Sequence, residues 1–436
     1  MFLKSALTPI LFIMALLSID PSHAKDNFTP DFDTLAKKYE SSAIEQRRHI
    51  HQNPELSSRE FKTQANLREA LKEIPGIKII EGEWGTGVVA ILEGGKPGPI
   101  VAWRTDMDAL PITEETGLPY ASTVVDTLRG GRQTGVMHAC GHDFHMAIAV
   151  GLMRILSDVR DELPGAVLFI GEPAEEIGAG ALQLLEAGLF DEGRLPQCAL
   201  AIHIHPTIPF GMVGSCPGPS SANVDGFRLR VLGKGGHGAY PHKTIDPVTL
   251  AARMVLAFQA IVSREIDVNR NCVISVGSIN GGATSNVIPG EVLIDATVRS
   301  HDQETRELLK QKIERTVSGL AMAAGAPEPE MEYYYGTASG YNNPTLVEQC
   351  REVFRRVLGD ENEIIYEPPM GGEDFSYYGK QVPGFQFRLG VGRSDREMAL
   401  HRANLDPDER AIGLGLRLAA EVVWDQLQRG EDTFGN

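Results

Sequence analysis

The chain has 436 residues, of which 42% are hydrophobic and 23% charged, a composition typical of globular proteins. This length suits two domains, or one large domain that carries an insertion. Acidic residues outnumber basic ones by 58 to 41, giving a formal charge of -17, and so negative a surface argues against binding to nucleic acids or anionic membranes.

The first 24 residues have the layout of a secretory signal peptide. Lys4 stands near the start, an apolar run extends from about Ala6 to Leu17, and the small residue Ala24 ends the segment. An uncleaved anchor is the alternative, but the run is short for a spanning helix and contains Pro9. We therefore predict cleavage after Ala24, export to the periplasm or the medium, and no membrane segment in the mature protein.

If the protein is exported, its cysteines are expected to meet an oxidising compartment in which disulfides can form. The five are Cys140, Cys198, Cys216, Cys272 and Cys350. They form no CxxC pair, and an odd count in an oxidising compartment leaves at least one thiol unpaired. A metal-bound thiolate at Cys140 would account for that thiol, and the sequence leaves open whether the other four form disulfides.

Short apolar runs typical of buried strands alternate with helical patterns over most of the chain. Strands are predicted at Val88–Leu92, Pro99–Trp103, Ala166–Ile170, Cys198–Ile204 and Phe385–Gly390. Helices are predicted at residues 34–52, Met146–Val159, Gly180–Ala187 and residues 409–428. This alternation predicts an α/β fold, with a mainly parallel mixed sheet flanked by helices.

The segment from Val224 to about Ala324 has a different order of strand, helix, strand, strand and helix. It predicts a smaller α+β domain inserted into the larger one. The predicted organisation is a signal peptide at 1–24, a catalytic domain at 25–218 and 332–436, and the inserted domain at 219–331.

The stretch MHACGHDFHMA, residues 137–147, carries the first candidate ligands. Cys140 and His142 could point at one ion if Gly141 bends the backbone between them, and thiolate and imidazole are good ligands for zinc and related divalent ions. The alternative is a hydrogen-bonded helix start without a metal. His138 and His145 are predicted to support the ligands or to pack.

Further candidate ligands follow the predicted strands. They are Asp106 and Asp108, Glu175 and Glu176, and His203, with His401 near the C-terminus. Ligands of open α/β sheets gather at the carboxyl ends of strands, so these side chains are expected to meet. The alternative for the two glutamates is a solvated pair at a helix start.

Nine motifs stand in the order seen in one enzyme family. They are RRHIHQNPELS, WRTDMDALP, MHACGHDFHMA, PAEEIGAGA, HIHPTIPFG, GKGGHGAYPH, NVIPG, MGGEDFSYY and LHRANLDPDE. From about Glu45 to Glu409 the chain resembles the amidohydrolase branch of the dinuclear metallopeptidases, which includes hippurate hydrolase, N-acyl-amino-acid hydrolases and auxin-conjugate hydrolases.

The resemblance implies a site for two divalent metal ions, Zn²⁺ or Mn²⁺. The implied ligands are Cys140, His142, Glu176, His203 and His401. It further implies Glu175 as the catalytic carboxylate and Asp106 or Asp108 as the group that orients a ligand histidine. The inserted domain would be ferredoxin-like and would act in dimerisation and as a lid.

On the inserted domain the resemblance implies three functional residues. His237 would help to bind the reacting carbonyl, often across a homodimer, and Asn286 and Arg299 would lie near the substrate carboxylate. The chain departs from the family pattern at His205 and at Arg402, which stand close to presumed ligands.

The resemblance implies hydrolysis of N-acylated amino acids, small molecules that yield a carboxylic acid and a free amino acid. A metallo-carboxypeptidase or dipeptidase of the same architecture is the alternative. A metal-binding protein without catalytic activity is a third reading, and the presence of both glutamates with all five presumed ligands argues against it.

Overall fold

Strands and helices alternate along the chain in a computed structural model that describes residues 28–430. The predicted signal peptide lies outside the described residues. The strands are β1 Ile77–Ile80, β2 Val88–Glu93, β3 Lys96–Asp106, β4 Val125–Thr127, β5 Gln133–Gly135, β6 Pro164–Glu172, β7 Cys198–Pro209, β8 Val213–Ser215, β9 Gly218–Pro219, β10 Asn223–Leu232, β11 Gly236–His237, β12 Cys272–Asn280, β13 Val287–Ile288, β14 Glu291–Ser300, β15 Glu330–Tyr335, β16 Tyr341–Asn342, β17 Glu363–Ile365 and β18 Gly384–Gly392.

The helices cover both ends of the described chain. They are α1 Phe32–Gln52, α2 Phe61–Lys72, α3 His142–Asp158, α4 Gly180–Glu186, α5 Pro247–Ala260, α6 Gln303–Ala324, α7 Pro344–Leu358, α8 Ser376–Gly379 and α9 Ala411–Arg429. Among these described helices, none combines the length and the apolar character needed to cross a bilayer.

The larger sheet has eight strands in the order β1-β2-β6-β3-β7-β18-β8-β17. The central strands β6, β3, β7 and β18 run parallel to their neighbours within that group, and β17 runs parallel to β8. The pairs β1–β2, β2–β6 and β18–β8 are antiparallel. The predicted fold class, a mainly parallel mixed sheet flanked by helices, is confirmed.

Both faces of this sheet are buried, which explains why its strands are almost entirely apolar. In β6, Val167 and Phe169 enter the core beneath α1, α3, α7 and α9. Leu168 and Ile170 point to the opposite face, into a second core with α4 and α8. Because side chains alternate along a strand, residue parity assigns each strand residue to one of these faces.

The smaller sheet is antiparallel, with the order β12-β14-β10-β15. Helices α5 and α6 pack on it, so the chain order βαββαβ gives a ferredoxin-like unit. Its last strand pairs with β10 as far as Tyr335, beyond the predicted boundary at residue 331. Both sheets belong to one unit that begins at Phe32.

Candidate metal centre and catalytic cavity

The predicted ligands gather where β3, β6 and β7 end. Asp106 is the last residue of β3, and Glu175 and Glu176 lie in a short turn just beyond β6. His203 lies in β7, on the face that also carries Ala199 and Ala201. The parallel strands thus bring distant segments of the sequence to one edge of the sheet.

The backbone bends at Gly141, as the spacing of Cys140 and His142 requires. Gly141 adopts a left-handed conformation with φ of 84° immediately before α3. A Cβ atom at this position would lie 2.2 Å from Cδ1 of Ile204. Only glycine meets both conditions without strain, so the bend that aims the two ligands together depends on it.

The sulfur of Cys140 lies between two histidines from distant segments. It is 3.5 Å from Nε2 of His203 and 3.3 Å from Nε2 of His401. Donor atoms lie within 4.8 Å of one another in the groups Cys140–His142–His203, Cys140–Glu176–His401 and His142–Glu175–Glu176. Two overlapping groups share Cys140, an arrangement that suits two neighbouring ions.

His142 and His203 turn their Nε2 atoms toward this space and anchor their Nδ1 atoms on backbone carbonyls. Nδ1 of His142 lies 2.8 Å from the carbonyl oxygen of Asp108, and Nδ1 of His203 lies 2.7 Å from that of Ile204. A carbonyl only accepts, so each Nδ1 donates to it and each Nε2 is the nitrogen left to face a cation. Nε2 of His142 and Oε1 of Glu176 are buried without hydrogen-bond partners, as atoms that ligate a cation would be.

The other two histidines of the loop have different surroundings. His145 donates from Nδ1 to Asp106 at 2.6 Å and accepts at Nε2 from the amide of Ile204 at 2.9 Å. Both its nitrogens are therefore engaged, and it supports the site without a free position for metal. Burial lowers the pKa of His138 to about 3, so this side chain is neutral.

Asp106 and Asp108, the two aspartates of the WRTDMDALP motif, contact different parts of the site. Asp108 accepts hydrogen bonds from the amides of Glu175 and Glu176 at 3.2 and 3.0 Å, and its Oδ1 lies 3.4 Å from Nδ1 of His142. Asp106 instead fixes His145, and its Oδ2 lies 3.6 Å from Nε2 of His142. Asp108 is thus the group that positions both the ligand imidazole and the glutamate turn.

Glu175 stands in a setting that opposes its negative charge. Burial raises the pKa of its carboxyl well above the usual range, and the neighbouring Glu373 and Glu176 add to this effect. Burial likewise raises the pKa of Glu176 to about 7 and that of the Cys140 thiol well above its usual range. A cation among these groups would relieve their mutual repulsion.

One buried guanidinium gathers the carboxylates behind the site. Arg104 donates to Asp106 at 2.7 Å, to Glu172 at 2.7 and 3.0 Å, to Glu373 at 3.0 Å and to Asp374 at 3.1 Å. Its side chain is 1% exposed, so these ion pairs are shielded from solvent. They hold β3, β6 and the 373–374 turn together beneath Glu175.

A cavity of about 1270 Å³ opens onto the site and is lined by both sheets. From the larger sheet and its loops come Cys140, Glu175, Glu176, His203 and His401, and from the smaller sheet come Val273, Ser275, Thr297 and Arg299. Arg299 donates to the hydroxyl of Thr297 at 3.0 Å and faces this space.

Two predicted site residues lie apart from this lining. The exposed His237 pairs with Val287 in the small β11–β13 ladder, next to Asn286, whose carbonyl accepts from Gly238 at 2.8 Å. Neither His237 nor Asn286 lines the cavity of its own chain. Arg402, which departs from the family pattern, is exposed and also lies outside the lining.

Arg388 and Tyr366 are among the polar residues of the cavity lining that the sequence did not indicate. Arg388 interrupts the apolar strand β18, and Tyr366 follows β17. A lone charge inside the buried run Phe385–Gly390 is a sequence signal that could have marked Arg388 as functional.

Known proteins match the chain over most of its length. Residues 102–425 match peptidase family M20/M25/M40. The chain is 37% identical over 376 residues to N-acetyldiaminopimelate deacetylase of Brevibacillus brevis, covering 86% of this chain and 95% of the relative. It is 36% identical over 388 residues to N-acetylcysteine deacetylase of Bacillus subtilis, covering 89% and 97%. A solved Bacillus subtilis structure, described as a dinuclear metal-binding peptidase of family M20, superposes with a TM-score of 0.76 at 32% identity, covering 90% and 99%.

Proposed function

We propose, on the premise that this chain belongs to peptidase family M20/M25/M40, that it hydrolyses the amide bond of N-acylated amino acids. The products would be a carboxylic acid and a free amino acid. Membership confirms the family predicted from the nine motifs, and the chain is a metal-dependent hydrolase of that family. Two relatives are named as deacetylases of N-acetyldiaminopimelate and N-acetylcysteine, which are both N-acyl amino acids.

The five predicted ligands fit a pair of divalent ions. Cys140, His142 and His203 would hold one ion, and Cys140, Glu176 and His401 would hold its neighbour. The unpartnered Nε2 of His142 and Oε1 of Glu176, facing the thiol of Cys140, are the observation that carries the proposed function. Such ions, when bound, lower the pKa of water and polarise the substrate carbonyl.

Glu175 would move the proton. Its carboxylate takes a proton from the attacking water as the oxygen bonds to the amide carbon, and delivers a proton to the nitrogen as the C–N bond breaks. Burial and the neighbouring carboxylates raise the pKa of Glu175, which makes it a stronger proton acceptor. Asp108 keeps Glu175 in place through the backbone amide at 3.2 Å.

We further propose that the protein works as a homodimer in which His237 serves the partner's cavity. Its imidazole is exposed and lies outside the lining of its own chain's cavity, so a second copy would have to bring it to the substrate. There it would donate to the carbonyl oxygen as negative charge develops. Asn286, adjacent in space to His237, would arrive with it.

Arg299 is proposed to bind the carboxylate of the amino-acid half of the substrate. It faces the cavity from the smaller sheet, and within the described residues it forms no ion pair. A guanidinium in this position matches a carboxylate in a bidentate manner.

The metal and the compartment are likewise proposals. Thiolate and imidazole ligands suit zinc, and the family resemblance adds manganese as the other candidate. Export to the periplasm or the medium rests on residues 1–24 alone. Metal analysis of the purified protein and sequencing of its N-terminus would test the two proposals.

A substrate panel tests the proposed function. N-acetyl and N-benzoyl amino acids and unblocked dipeptides would be assayed with protein stripped by chelator and with protein reloaded with Zn²⁺ or Mn²⁺. We expect metal-dependent release of free amino acid from the N-acyl compounds. Hydrolysis of dipeptides alone would favour the carboxypeptidase or dipeptidase reading instead, and turnover that survives chelation would contradict the metal site.

A further inference from the structure

Arg388 is a buried cation on the face of the sheet that carries the metal site. It pairs in register with His203 of the parallel strand β7, and its neighbours Phe387 and Leu389 point to the opposite face. The side chain of Arg388 therefore lies on the same face as the imidazole of His203. It lines the cavity, yet the residue is only 8% exposed.

This guanidinium has no ion-pair partner among residues 28–430. Other buried arginines of the same unit do have one: Arg104 pairs with four carboxylates and Arg47 with Asp143. Glu373 acts on Arg388 through its charge, but its oxygens are engaged elsewhere. Oε1 accepts from Arg104 at 3.0 Å and Oε2 from Gln386 at 2.7 Å.

A buried phenol stands beside Arg388. The hydroxyl of Tyr366 interacts with Arg388 through charge and a side-chain hydrogen bond, and has no carboxylate or carbonyl acceptor among the described residues. A buried guanidinium without a counterion is costly, and a neutral phenol does not neutralise it. That cost would fall if an anionic ligand accepted hydrogen bonds from both groups.

His205 completes this part of the lining. Its ring lies 6.4 Å from that of Tyr366, and its Nδ1 is 3.0 Å from the hydroxyl of Thr207. Its imidazole adds a hydrogen-bonding group to this part of the cavity, and Arg388 supplies the positive charge of the subsite.

We propose that Arg388, Tyr366 and His205 form an anion subsite, which takes the second carboxylate of a dianionic N-acyl amino acid. This inference rests on the proposed function, in which Arg299 on the smaller sheet binds the first carboxylate. A substrate with one carboxylate would leave one of the two cavity arginines without a counterion. The second carboxylate stands either at the far end of the acyl chain or on the amino-acid side chain.

Matched substrate pairs distinguish these two positions. N-succinyl-L-alanine and N-butanoyl-L-alanine differ in charge at the end of an acyl chain of equal length. N-acetyl-L-glutamate and N-acetyl-L-glutamine differ in charge on the amino-acid side. For metal-loaded protein we expect kcat/KM to favour the charged member of one pair by roughly 10- to 100-fold, the usual worth of a hydrogen bond to a charged group.

Variants then assign that preference to the subsite. In Arg388→Met the ratio of kcat/KM within the preferred pair should fall to about 1, whereas Arg388→Lys should keep part of it because the charge remains. Tyr366→Phe removes only the hydroxyl and should lower the ratio several-fold. Arg402→Met removes an exposed arginine outside the cavity lining and should leave the ratio unchanged.

The ratio is the decisive readout, because a purely structural role of Arg388 would lower kcat/KM for both members of a pair equally. Equal rates for both members in the wild type, or a preference that persists in Arg388→Met, would overturn the subsite. Calorimetric titration with succinate and butanoate tests it separately. If no N-acyl compound is hydrolysed, the proposed function fails, whereas selective binding of succinate that is lost in Arg388→Met would still support the subsite.

Discussion

The sulfur of Cys140 lies 3.3 Å from Nε2 of His401, although 261 positions separate the two residues in the chain. The loop before α3 and a loop that precedes α9 thus meet at one point. The amide of His401 donates to the carbonyl oxygen of Ala139 at 2.8 Å, and a small apolar cluster of Met137, Ala139, Met398 and Leu405 holds the two loops together.

Replacement of Cys140 by alanine should reduce bound metal. The thiol belongs to both donor groups that fit an ion, so its loss removes a ligand from each. Metal content measured by mass spectrometry after reloading is the test. Cys350→Ala is the matched control, because Cys350 is a buried free thiol on α7, and its loss should leave metal content intact. Equal metal content in both variants would make Cys140 a packing residue.

Replacement of Glu175 by glutamine should lower kcat by about 10²- to 10⁴-fold and leave metal content unchanged, because the amide cannot carry the proton. Assay and metal analysis on the same preparation would separate the two effects. Glu186→Gln removes an exposed carboxyl at the end of α4 and should behave like the wild type. Turnover retained in Glu175→Gln would remove this residue from the mechanism.

Gly141→Ala should destabilise the fold by about 2–4 kcal/mol, since left-handed strain adds to the clash with Ile204. It should also weaken metal binding by displacing His142. Gly319→Ala is the control: Gly319 lies exposed in α6 with no atom near its missing Cβ, and the change should stabilise by about 0.5–1 kcal/mol. Urea unfolding curves of the two variants would measure the expected decrease in the free energy of unfolding for Gly141→Ala and the expected increase for Gly319→Ala.

The ion pair of Arg47 with Asp143 should be essential to stability. Burial works against the charge of Asp143, but Arg47 and His51 outweigh it, so the pKa of the carboxyl lies well below its usual range. Arg47→Met removes the guanidinium partner of this buried charge, leaves only His51 beside it, and should cost about 3–5 kcal/mol.

Arg48→Met is the matched control for that change. Arg48 pairs with Glu409, which also accepts from Arg47 at 3.0 Å. The side chain of Arg48 is 47% exposed, so its loss should cost about 0–1 kcal/mol. Equal unfolding free energies for the Arg47 and Arg48 variants would contradict the distinction between the two pairs.

Mixed dimers test whether His237 acts across a subunit boundary. Glu175→Gln and His237→Ala should each be nearly inactive, because each lacks one member of the site. After unfolding and refolding together in equal amounts, about half the dimers are mixed and each has one complete site, so about a quarter of wild-type activity should return. Activity that stays at the level of the single variants would mean that His237 serves its own chain or has no role.

The sequence predicts both the larger sheet and the clustering of the ligand side chains at one of its edges, for the same reason. Apolar runs such as Ala166–Ile170 are buried on both faces, and parallel strands of that kind end at a common edge. Glu176 and His203 could be placed together on that rule, and the family resemblance added Cys140. The short strands β8 and β17 were not predicted, because three residues carry too little periodicity to be recognised.

Other features depend on contacts that no spacing reveals. Asp108 accepts hydrogen bonds from the amides of Glu175 and Glu176, which stand 67 and 68 positions further along the chain. The sequence offered Asp106 and Asp108 as equal candidates, and only the positions of His142 and His145 separate their roles. Likewise, Arg388 could be recognised as unpaired only after every nearby carboxylate had been located.

The two ligand imidazoles that flank Cys140 differ greatly in their contact with solvent. The side chain of His401 is 54% exposed, whereas His203 is 6% exposed. We therefore expect the two ions to exchange at different rates, with the one bound by His401 leaving first under dilution or mild chelation. Enzyme purified without added metal would then be a half-loaded species, and its activity would rise on simple addition of the ion, without refolding.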